Sequence, residues 1–316
     1  MVPNLQLLRQ PAPQPPPDEI QPDLEPLDES AGFLGIGRSL TFPYPQWRDS
    51  DPYRTVFFDE GQGHPVVFVH GLGANFTHFE HVIEGLAPRY RVAGLDLVGC
   101  GWSRKPDIDY GVALLRDHLI SFLERRKIRR ATLVGHSMGG TVVLATALAR
   151  PWLVDSLVLI CAAGVAPLPR YLRTAAPFAL RRSLLFTFLR YGAGFILDNV
   201  FVDKPDANRF VREFRESAMR DAPGYPNLDD FARVCTTLCP DIAAHDYSQQ
   251  LSSLGMPVLG LWGDHDKLTA LTPVLRQLGR IPRIRTVVLP RCGHMPMVER
   301  PADTLFHLER FLRDPP

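Results

Sequence analysis

Short runs of aliphatic and β-branched residues recur along the chain, and segments with helical periodicity lie between them. Most of the apolar runs lack alternating polar positions, which is typical of strands buried on both faces of a sheet. The predicted strands are residues 65–70, 90–96, 131–135, 156–160, 257–262 and 284–289. The predicted helices are residues 76–87, 110–127, 138–150, 270–279 and 302–313. Alternating strands and helices predict an α/β fold with a mostly parallel central sheet covered by helices on both faces.

The alternation breaks after Ala162, because residues 165–250 contain helical-looking segments and few strand signals before the sheet pattern restarts at Pro257. We interpret residues 165–250 as a helical cap inserted into an α/β core made of residues 46–164 and 251–316. Ligands of open α/β sheets bind at the carboxyl ends of the strands, so a cap packed there would form a wall of the binding pocket.

Within the predicted cap, residues 170–197 interleave arginines with bulky apolar side chains and contain no acidic residue. This pattern is typical of a cap helix whose apolar face lines an acyl pocket while its arginines reach water, and we favour that interpretation. The alternative is a basic amphipathic helix that lies on an anionic membrane surface.

Residues 1–45 differ in composition from the rest of the chain. They hold 10 of the 30 prolines and a cluster of acidic residues, and they lack the basic start and apolar run of a secretory signal. We expect an extended tail, because such a segment buries too little apolar surface to hold one conformation. The alternative is a docking strap for a partner or for the domain's own surface, anchored by Phe42, Tyr44 and Trp47.

Composition narrows the classes of function. Among 316 residues, 35 Lys and Arg balance 34 Asp and Glu to a formal charge of +1, so no strong positive field would attract nucleic acid. The uncharged stretch 131–149 is as long as a membrane span, but polar residues and glycines at its centre favour a buried strand, turn and helix. Five scattered cysteines without zinc-ligand spacing indicate a reducing compartment, so we expect a cytoplasmic protein.

The strongest chemical signal is the pentapeptide Gly135–Gly139, which has the pattern G-x-S-x-G. It lies between a predicted strand and a predicted helix, where small residues allow a tight turn that exposes the hydroxyl of Ser137 above the sheet. Ser137 is therefore the candidate nucleophile.

A nucleophilic serine requires a base within hydrogen-bonding distance and a carboxylate that orients the base. His294 follows the last predicted strand and precedes the last predicted helix, which makes it the candidate base. Two carboxylates, Asp264 and Asp266, follow the strand that ends at Trp262. We prefer Asp266, because the loop has turned back over the sheet by that position, and we expect Asp264 to cap the loop or the following turn.

Attack on a carbonyl group places negative charge on its oxygen, and two backbone N–H groups can stabilise that charge. One is expected from Met138, at the amino end of the helix that follows the serine, where the helix dipole assists. The other is expected from Leu72 in the segment His70–Gly73, whose two glycines let the loop approach a substrate closely.

Together these motifs resemble the α/β-hydrolase superfamily with a helical cap, over roughly residues 50–316. The matching motifs are His70-Gly71, Asp96–Ser103, Gly135–Gly139, Gly263–Asp266 and Gly293-His294. The superfamily includes esterases, lipases, lactonases, thioesterases, carbon–carbon bond hydrolases, perhydrolases and hormone receptors. Ser137 argues against its dehalogenases and epoxide hydrolases, whose nucleophile is Asp. His136 favours ester-type substrates, because the carbon–carbon bond hydrolases often carry Asn at that position.

The sequence thus predicts a serine hydrolase that cleaves small-molecule carboxylic esters of apolar or aromatic character through an acyl-enzyme. The predicted triad is Ser137, Asp266 and His294, and no cofactor or metal is expected. Lactone or thioester cleavage, peracid formation and carbon–carbon bond hydrolysis remain open on the same triad. A hypothesis of another class is a ligand receptor that has the fold and only binds.

Overall fold

The structure, a computed structural model, describes residues 46–50, 53–101, 103–167, 199–202 and 228–316. The N-terminal segment 1–45 and the whole of the arginine-rich segment 170–197 lie outside the described residues. The predictions for both segments, and the division of the chain into core and cap, therefore stay predictions.

In the described residues, eight strands form one central sheet: β1 (Gln46–Ser50), β2 (Tyr53–Glu60), β3 (Pro65–Val69), β4 (Arg91–Leu95), β5 (Ala131–His136), β6 (Val154–Ile160), β7 (Val258–Gly263) and β8 (Ile284–Leu289). Their order in the sheet is β1-β2-β4-β3-β5-β6-β7-β8. The pairs β1–β2 and β2–β4 are antiparallel, and β3 to β8 run parallel. The prediction of an α/β fold with a mostly parallel sheet is confirmed. Because β3 to β8 are parallel, their carboxyl ends meet along one edge of the sheet.

Seven α-helices are described: α1 (Glu80–Leu86), α2 (Val112–Arg125), α3 (Met138–Ala149), α4 (Leu228–Ala244), α5 (Leu271–Leu278), α6 (Pro296–Glu299) and α7 (Pro301–Arg313). Single 3₁₀ turns occur at Phe76–Phe79, Pro151–Leu153 and Leu251–Ser253. In the part of the chain that the structure describes, no helix combines the length and the apolar character needed to cross a membrane.

Separate hydrophobic cores lie on the two faces of the sheet, and β3 contributes to both. Val67 and Val69 belong to the core beneath α2 and α3, whereas Val66 and Phe68 belong to the core beneath α1 and α7. All four side chains are fully buried. Burial on both faces explains why this strand is a run of consecutive apolar residues.

Helix α4, which lies within the predicted cap, is tied to the loop that precedes α2. Its residues Thr237 and Asp241 are one turn apart and lie on one face. The hydroxyl of Thr237 accepts the N–H of Tyr110 (3.0 Å), and the carboxylate of Asp241 accepts the N–H of Val112 (2.6 Å). These bonds fix α4 against the α/β core.

Candidate active site

Ser137 lies at a sharp turn between β5 and α3. Its φ is 52° and its ψ is −117°, and a positive φ is strained for a residue other than glycine. The N–H of Ser137 donates to the carbonyl of Ile160 at the end of β6 (3.0 Å). The carbonyl of Ser137 accepts the N–H groups of Gly140 (2.9 Å) and Ala163 (3.0 Å). The neighbouring strand and helix therefore hold the serine in its strained conformation.

Close packing explains the glycines on either side of the serine. A Cβ atom on Gly139 would lie 2.2 Å from the carbonyl oxygen of Val69, and one on Gly135 would lie 2.5 Å from the carbonyl oxygen of Gly139. Both distances are shorter than a van der Waals contact, so a larger side chain would push α3 away from the ends of β3 and β5. Glycine at both positions lets α3 begin directly after Ser137.

Asp266 and His294 lie on the loops that follow β7 and β8, and their side chains are hydrogen-bonded. The Nδ1–H of His294 donates to the carboxylate of Asp266, at 3.0 Å from each oxygen. Both side chains are buried. Because this bond assigns the proton to Nδ1, Nε2 is the nitrogen of the neutral ring that can accept a proton. The pair has the geometry of a base and its orienting carboxylate.

The carboxylate of Asp266 is also held by its own loop. One oxygen accepts the N–H groups of Leu268 (2.9 Å) and Thr269 (3.1 Å), and the other accepts the hydroxyl of Thr269 (2.5 Å). The Nε1–H of Trp262 donates to that same hydroxyl (3.1 Å). Burial alone would raise the pKa of Asp266, but the charge and hydrogen bond of His294 and the bonds from Thr269 lower the pKa to about 2. Asp266 is therefore ionised near neutral pH.

Asp264, the other carboxylate of this loop, has different partners. Its Oδ1 accepts the N–H of Cys292 (3.2 Å) and lies 2.5 Å from Nδ1 of His265. Its side chain is one-third exposed, at 33%. Asp264 thus connects the loops after β7 and β8, and Asp266 is the carboxylate that contacts His294.

His136, a residue that the pentapeptide pattern leaves variable, connects the serine turn to the histidine loop. Its Nε2–H donates to the main-chain carbonyl of His294 (2.8 Å), and the centroids of the two rings are 4.9 Å apart. Burial, reinforced by the charge of His294, lowers the pKa of His136 well below its ordinary value, so its ring is neutral. Because His136 directly precedes Ser137, the contact places His294 beside the serine turn. This contact of His136 was not predicted from the sequence, and the only sequence feature that pointed to the residue was its position next to Ser137.

The two expected oxyanion donors come from the start of α3 and from the loop after β3. Met138 is the first residue of α3 and is buried, so its N–H lies at the positive end of the helix dipole. The loop after β3 approaches the serine closely: a Cβ atom built on Gly71 would lie only 3.2 Å from the Cβ of Ser137. Leu72 follows Gly71 directly and is partly buried.

His70 holds this loop in place. Its Nδ1–H donates to the carbonyl of Gly71 (2.8 Å), and its Nε2 accepts the N–H of Leu97 (3.1 Å). Burial lowers the pKa of His70 to about 4. The neutral ring therefore keeps one donor and one acceptor, which these two main-chain groups require.

One group of side chains in the described residues has the composition of a metal site. Ligand atoms of Cys161, Asp266 and His294 lie within 4.8 Å of one another, and all three residues are buried. Burial and the nearby charge of Asp266 raise the pKa of the Cys161 thiol well above its ordinary value, whereas metals bind thiolates. Asp266 and His294 also bond to each other, so these two side chains already have a partner within the group.

The structure thus brings Asp266 and His294 into contact beside the turn that carries Ser137, at the carboxyl edge of the sheet. The sequence profile of the alpha/beta hydrolase fold family matches residues 64–301, a range that contains all three residues. The chain belongs to the alpha/beta hydrolase family.

Similar proteins include two that are named for hydrolysis. The 2-hydroxymuconate semialdehyde hydrolase of Pseudomonas sp. (strain CF600) is 30% identical over 261 residues, which cover 79% of this chain and 87% of that protein. The pimeloyl-[acyl-carrier protein] methyl ester esterase of Nitrosomonas europaea is 28% identical over 250 residues, which cover 76% of this chain and 92% of that protein. A solved esterase from Thermogutta terrifontis shares the fold, with a TM-score of 0.69, 23% identity, and coverage of 86% of this chain and 98% of the esterase.

Proposed function

We propose that this hydrolase-family protein cleaves carboxylic esters of apolar or aromatic character, with Ser137 as nucleophile, His294 as base and Asp266 as orienting carboxylate. The observation that carries the proposal is the strained backbone of Ser137, with a φ of 52°, beside a bonded Asp266–His294 pair. A strained backbone costs free energy, and at a serine between a strand and a helix it is typical of an exposed nucleophile.

In the proposed cycle, Nε2 of His294 takes the proton of Ser137, and the alkoxide attacks the ester carbonyl. The N–H groups of Leu72 and Met138 stabilise the oxyanion. His294 then protonates the departing alcohol, and an acyl-enzyme remains. Water that gives its proton to His294 releases the acid and restores the serine. Throughout, Asp266 holds the ring in one tautomer and stabilises its protonated form.

Carbon–carbon bond hydrolysis is the second candidate reaction, because one similar protein is named for 2-hydroxymuconate semialdehyde. Ester cleavage is preferred for two reasons. Another similar protein is named as a methyl ester esterase, and His136, not Asn, precedes the nucleophile. Since one triad serves both reactions, the substrate decides between them.

A cytoplasmic location is part of the proposal. It is supported by the five cysteines, which are all free thiols, as expected in a reducing compartment.

The test is to assay purified wild-type protein and Ser137→Ala against short-chain chromogenic esters, lactones, thioesters and vinylogous diketones. We expect turnover of an ester, with kcat/KM lower by about 10⁴-fold or more in the folded variant. Equal rates in the two proteins would contradict a serine nucleophile. Turnover of diketones alone would select carbon–carbon hydrolysis, and binding of an ester without turnover would indicate a receptor.

A further inference from the structure

The carboxylate of Glu299 holds together two segments that are far apart in the chain. Glu299 is the last residue of α6, five positions after His294. Its Oε1 accepts the N–H of Gly293, and its Oε2 accepts the N–H of Val202, both at 2.8 Å. Gly293 immediately precedes His294, and Val202 belongs to the predicted cap. One side chain therefore bonds to the histidine loop with one oxygen and to the inserted region with the other.

The main chains of the same two segments are also in direct contact. The N–H of His294 donates to the carbonyl of Val200 (2.7 Å). A Cβ atom on Gly293 would lie 2.3 Å from that carbonyl oxygen and 2.9 Å from Oε1 of Glu299. The histidine loop thus lies against residues 199–202 so closely that a side chain at Gly293 would separate them. Phe201, between the two bonded residues, is buried in the core beneath α1 and α7, so residues 199–202 are packed against the core.

We propose that Glu299 is a positioning residue for His294: its carboxylate joins the histidine loop to residues 199–202 and so keeps the imidazole aligned with Ser137. The inference rests on the proposed function. Asp266 bonds to the ring of His294, and His136 bonds to its main-chain carbonyl. On the amino-terminal side, Glu299 accepts the N–H of Gly293, and the carbonyl of Val200 accepts the N–H of His294. A displacement of a catalytic base by about 1 Å can slow proton transfer about 100-fold. A second support for the histidine loop would therefore matter for the rate, because it limits such displacement of His294.

The rival explanation is that Glu299 contributes to folding stability alone. Glu299→Gln separates the two, because glutamine has the same shape but offers one acceptor oxygen and one donor NH₂ group. In the variant, one of the two N–H groups loses its acceptor and faces a donor. Glu299→Asp is the second variant, because its shorter side chain keeps the charge but reaches both N–H groups less well.

Asp59→Asn is the matched control. Asp59 is a buried carboxylate that also joins two segments, since it accepts hydrogen bonds from Arg91 and Arg126. It lies on β2, at the opposite end of the strand order from β8 and the histidine loop. The control therefore shows how much stability is lost when a buried carboxylate that is hydrogen-bonded to two segments is replaced, at a position away from the candidate site.

The first measurement is the pre-steady-state rate of acylation by a p-nitrophenyl ester, well below the melting temperature of each protein. We expect acylation by Glu299→Gln to be about tenfold slower, with KM changed less than about twofold, and acylation by Asp59→Asn to match the wild type. Wild-type acylation in both Glu299 variants, or equal slowing in the control, would overturn the proposal.

The second measurement is amide hydrogen exchange, which does not require activity. Glu299→Gln should accelerate exchange at Gly293, His294 and Val202 together, whereas Asp59→Asn should leave these amides unchanged. Unchanged exchange at the three amides in Glu299→Gln would overturn the proposed bridge. If the wild type acylated with no ester, the proposed function would fail, and the exchange result would still decide whether Glu299 joins the two segments.

Discussion

At the scale of single residues, Asp266 is held from two sides before any substrate arrives. Its own loop donates two N–H groups and a hydroxyl, and His294 donates Nδ1–H from the neighbouring loop. These bonds favour the ionised carboxylate, which is the form that stabilises a protonated imidazole. The orientation and the charge of Asp266 therefore have the same cause.

Replacement of the two loop carboxylates tests this arrangement. Asp266→Asn should lower kcat by about 10³- to 10⁴-fold, because asparagine stabilises the protonated ring poorly and permits the wrong tautomer. Asp264→Asn is the matched control and should lower kcat by less than about tenfold, since Asp264 contacts His265 and the main chain of Cys292. Steady-state assays with one ester measure both effects, and the reverse ranking would assign the role to Asp264.

The low pKa of Asp266 also predicts how stability depends on pH. Its pKa in the folded protein is about 2, below the ordinary value of 3.8, so Asp266 contributes stability above that ordinary value and loses it as the pH falls towards 2. The full contribution is about 2 kcal/mol, of which about half is lost between about pH 5 and pH 3. Between about pH 5 and pH 3, the free energy of unfolding measured with urea should therefore fall by about 1 kcal/mol more in the wild type than in Asp266→Asn. Parallel declines would show that the carboxylate is not stabilised by folding.

Sequence position alone predicted that Asp266 and His294 lie together near the Ser137 turn, but not what supports them. Ser137, Asp266 and His294 each follow a predicted strand, and the carboxyl ends of parallel strands lie along one edge. Thr269 and Glu299 act through hydrogen bonds to loops that are distant in the chain or folded back on themselves. The apolar periodicity of a sequence does not indicate such bonds, so finding them required coordinates.

At the scale of elements, α2 is capped by a residue from another helix. Gly111, at its N-cap position, has no side chain to accept an N–H from the first turn. The carboxylate of Asp241, in α4, accepts the N–H of Val112 at 2.6 Å, and a Cβ atom on Gly111 would lie 3.0 Å from that carboxylate. A negative group at this position also complements the helix dipole. The end of α2 and the docking of α4 are therefore coupled.

Asp241→Ala should lower the free energy of unfolding by about 1 kcal/mol, because the first turn of α2 loses its acceptor. Asp241→Asn keeps an acceptor oxygen, so its free energy of unfolding should fall by about half as much as that of Asp241→Ala, or less. Urea denaturation followed by circular dichroism measures both. If the two variants were equally stable, the hydrogen bond to Val112 would not be the cause.

Elements with a clear apolar pattern were predictable from the sequence, and elements without one were not. The apolar stripe of α5 predicted residues 270–279, and the helix spans Leu271–Leu278. The antiparallel strand β2 was missed because polar residues such as Asp59 interrupt its apolar run. Helix α6, with four residues, is too short to show a period.

At the scale of the whole molecule, the sheet edge away from the histidine loop is held by a buried charge cluster. Asp59 on β2 accepts two hydrogen bonds from Arg91, at 2.8 and 2.7 Å, and one from Arg126 at 2.7 Å. Burial would raise the pKa of Asp59, but the hydrogen bonds and charges of the two arginines lower it overall. Asp59 thus joins the antiparallel strand β2 to the start of β4 and to the end of α2.

Stability and catalysis should therefore be separable. Asp59→Asn should lower the free energy of unfolding by about 3 kcal/mol, because it leaves two partly buried arginines without their counter-charge. The folded variant should retain wild-type kcat, since no bond of Asp59 reaches the serine turn. Thermal unfolding and an ester assay on the same sample measure both quantities. A large loss of kcat in fully folded protein would show that this edge is coupled to the site.

The mostly parallel sheet was predictable, whereas the contacts between the predicted cap and the core were not. Alternating strand and helix patterns specify a parallel sheet with two covered faces. By contrast, the contacts of α4 with the loop before α2, and of residues 199–202 with the histidine loop, join segments about 100 residues apart in sequence. Such contacts depend on complementary shape and hydrogen bonding between distant segments, which local sequence patterns do not encode.

The central claim is that His294 activates one serine, and covalent labelling tests it most directly. Wild-type protein, Ser137→Ala and His294→Ala would be treated with a fluorophosphonate, and the modified peptide would be identified by mass spectrometry. We expect rapid, stoichiometric labelling of Ser137 in the wild type, none at that position in Ser137→Ala, and labelling slower by about 10³-fold or more in His294→Ala. Labelling at another residue, or equally fast labelling of Ser137 without the imidazole, would contradict the central claim.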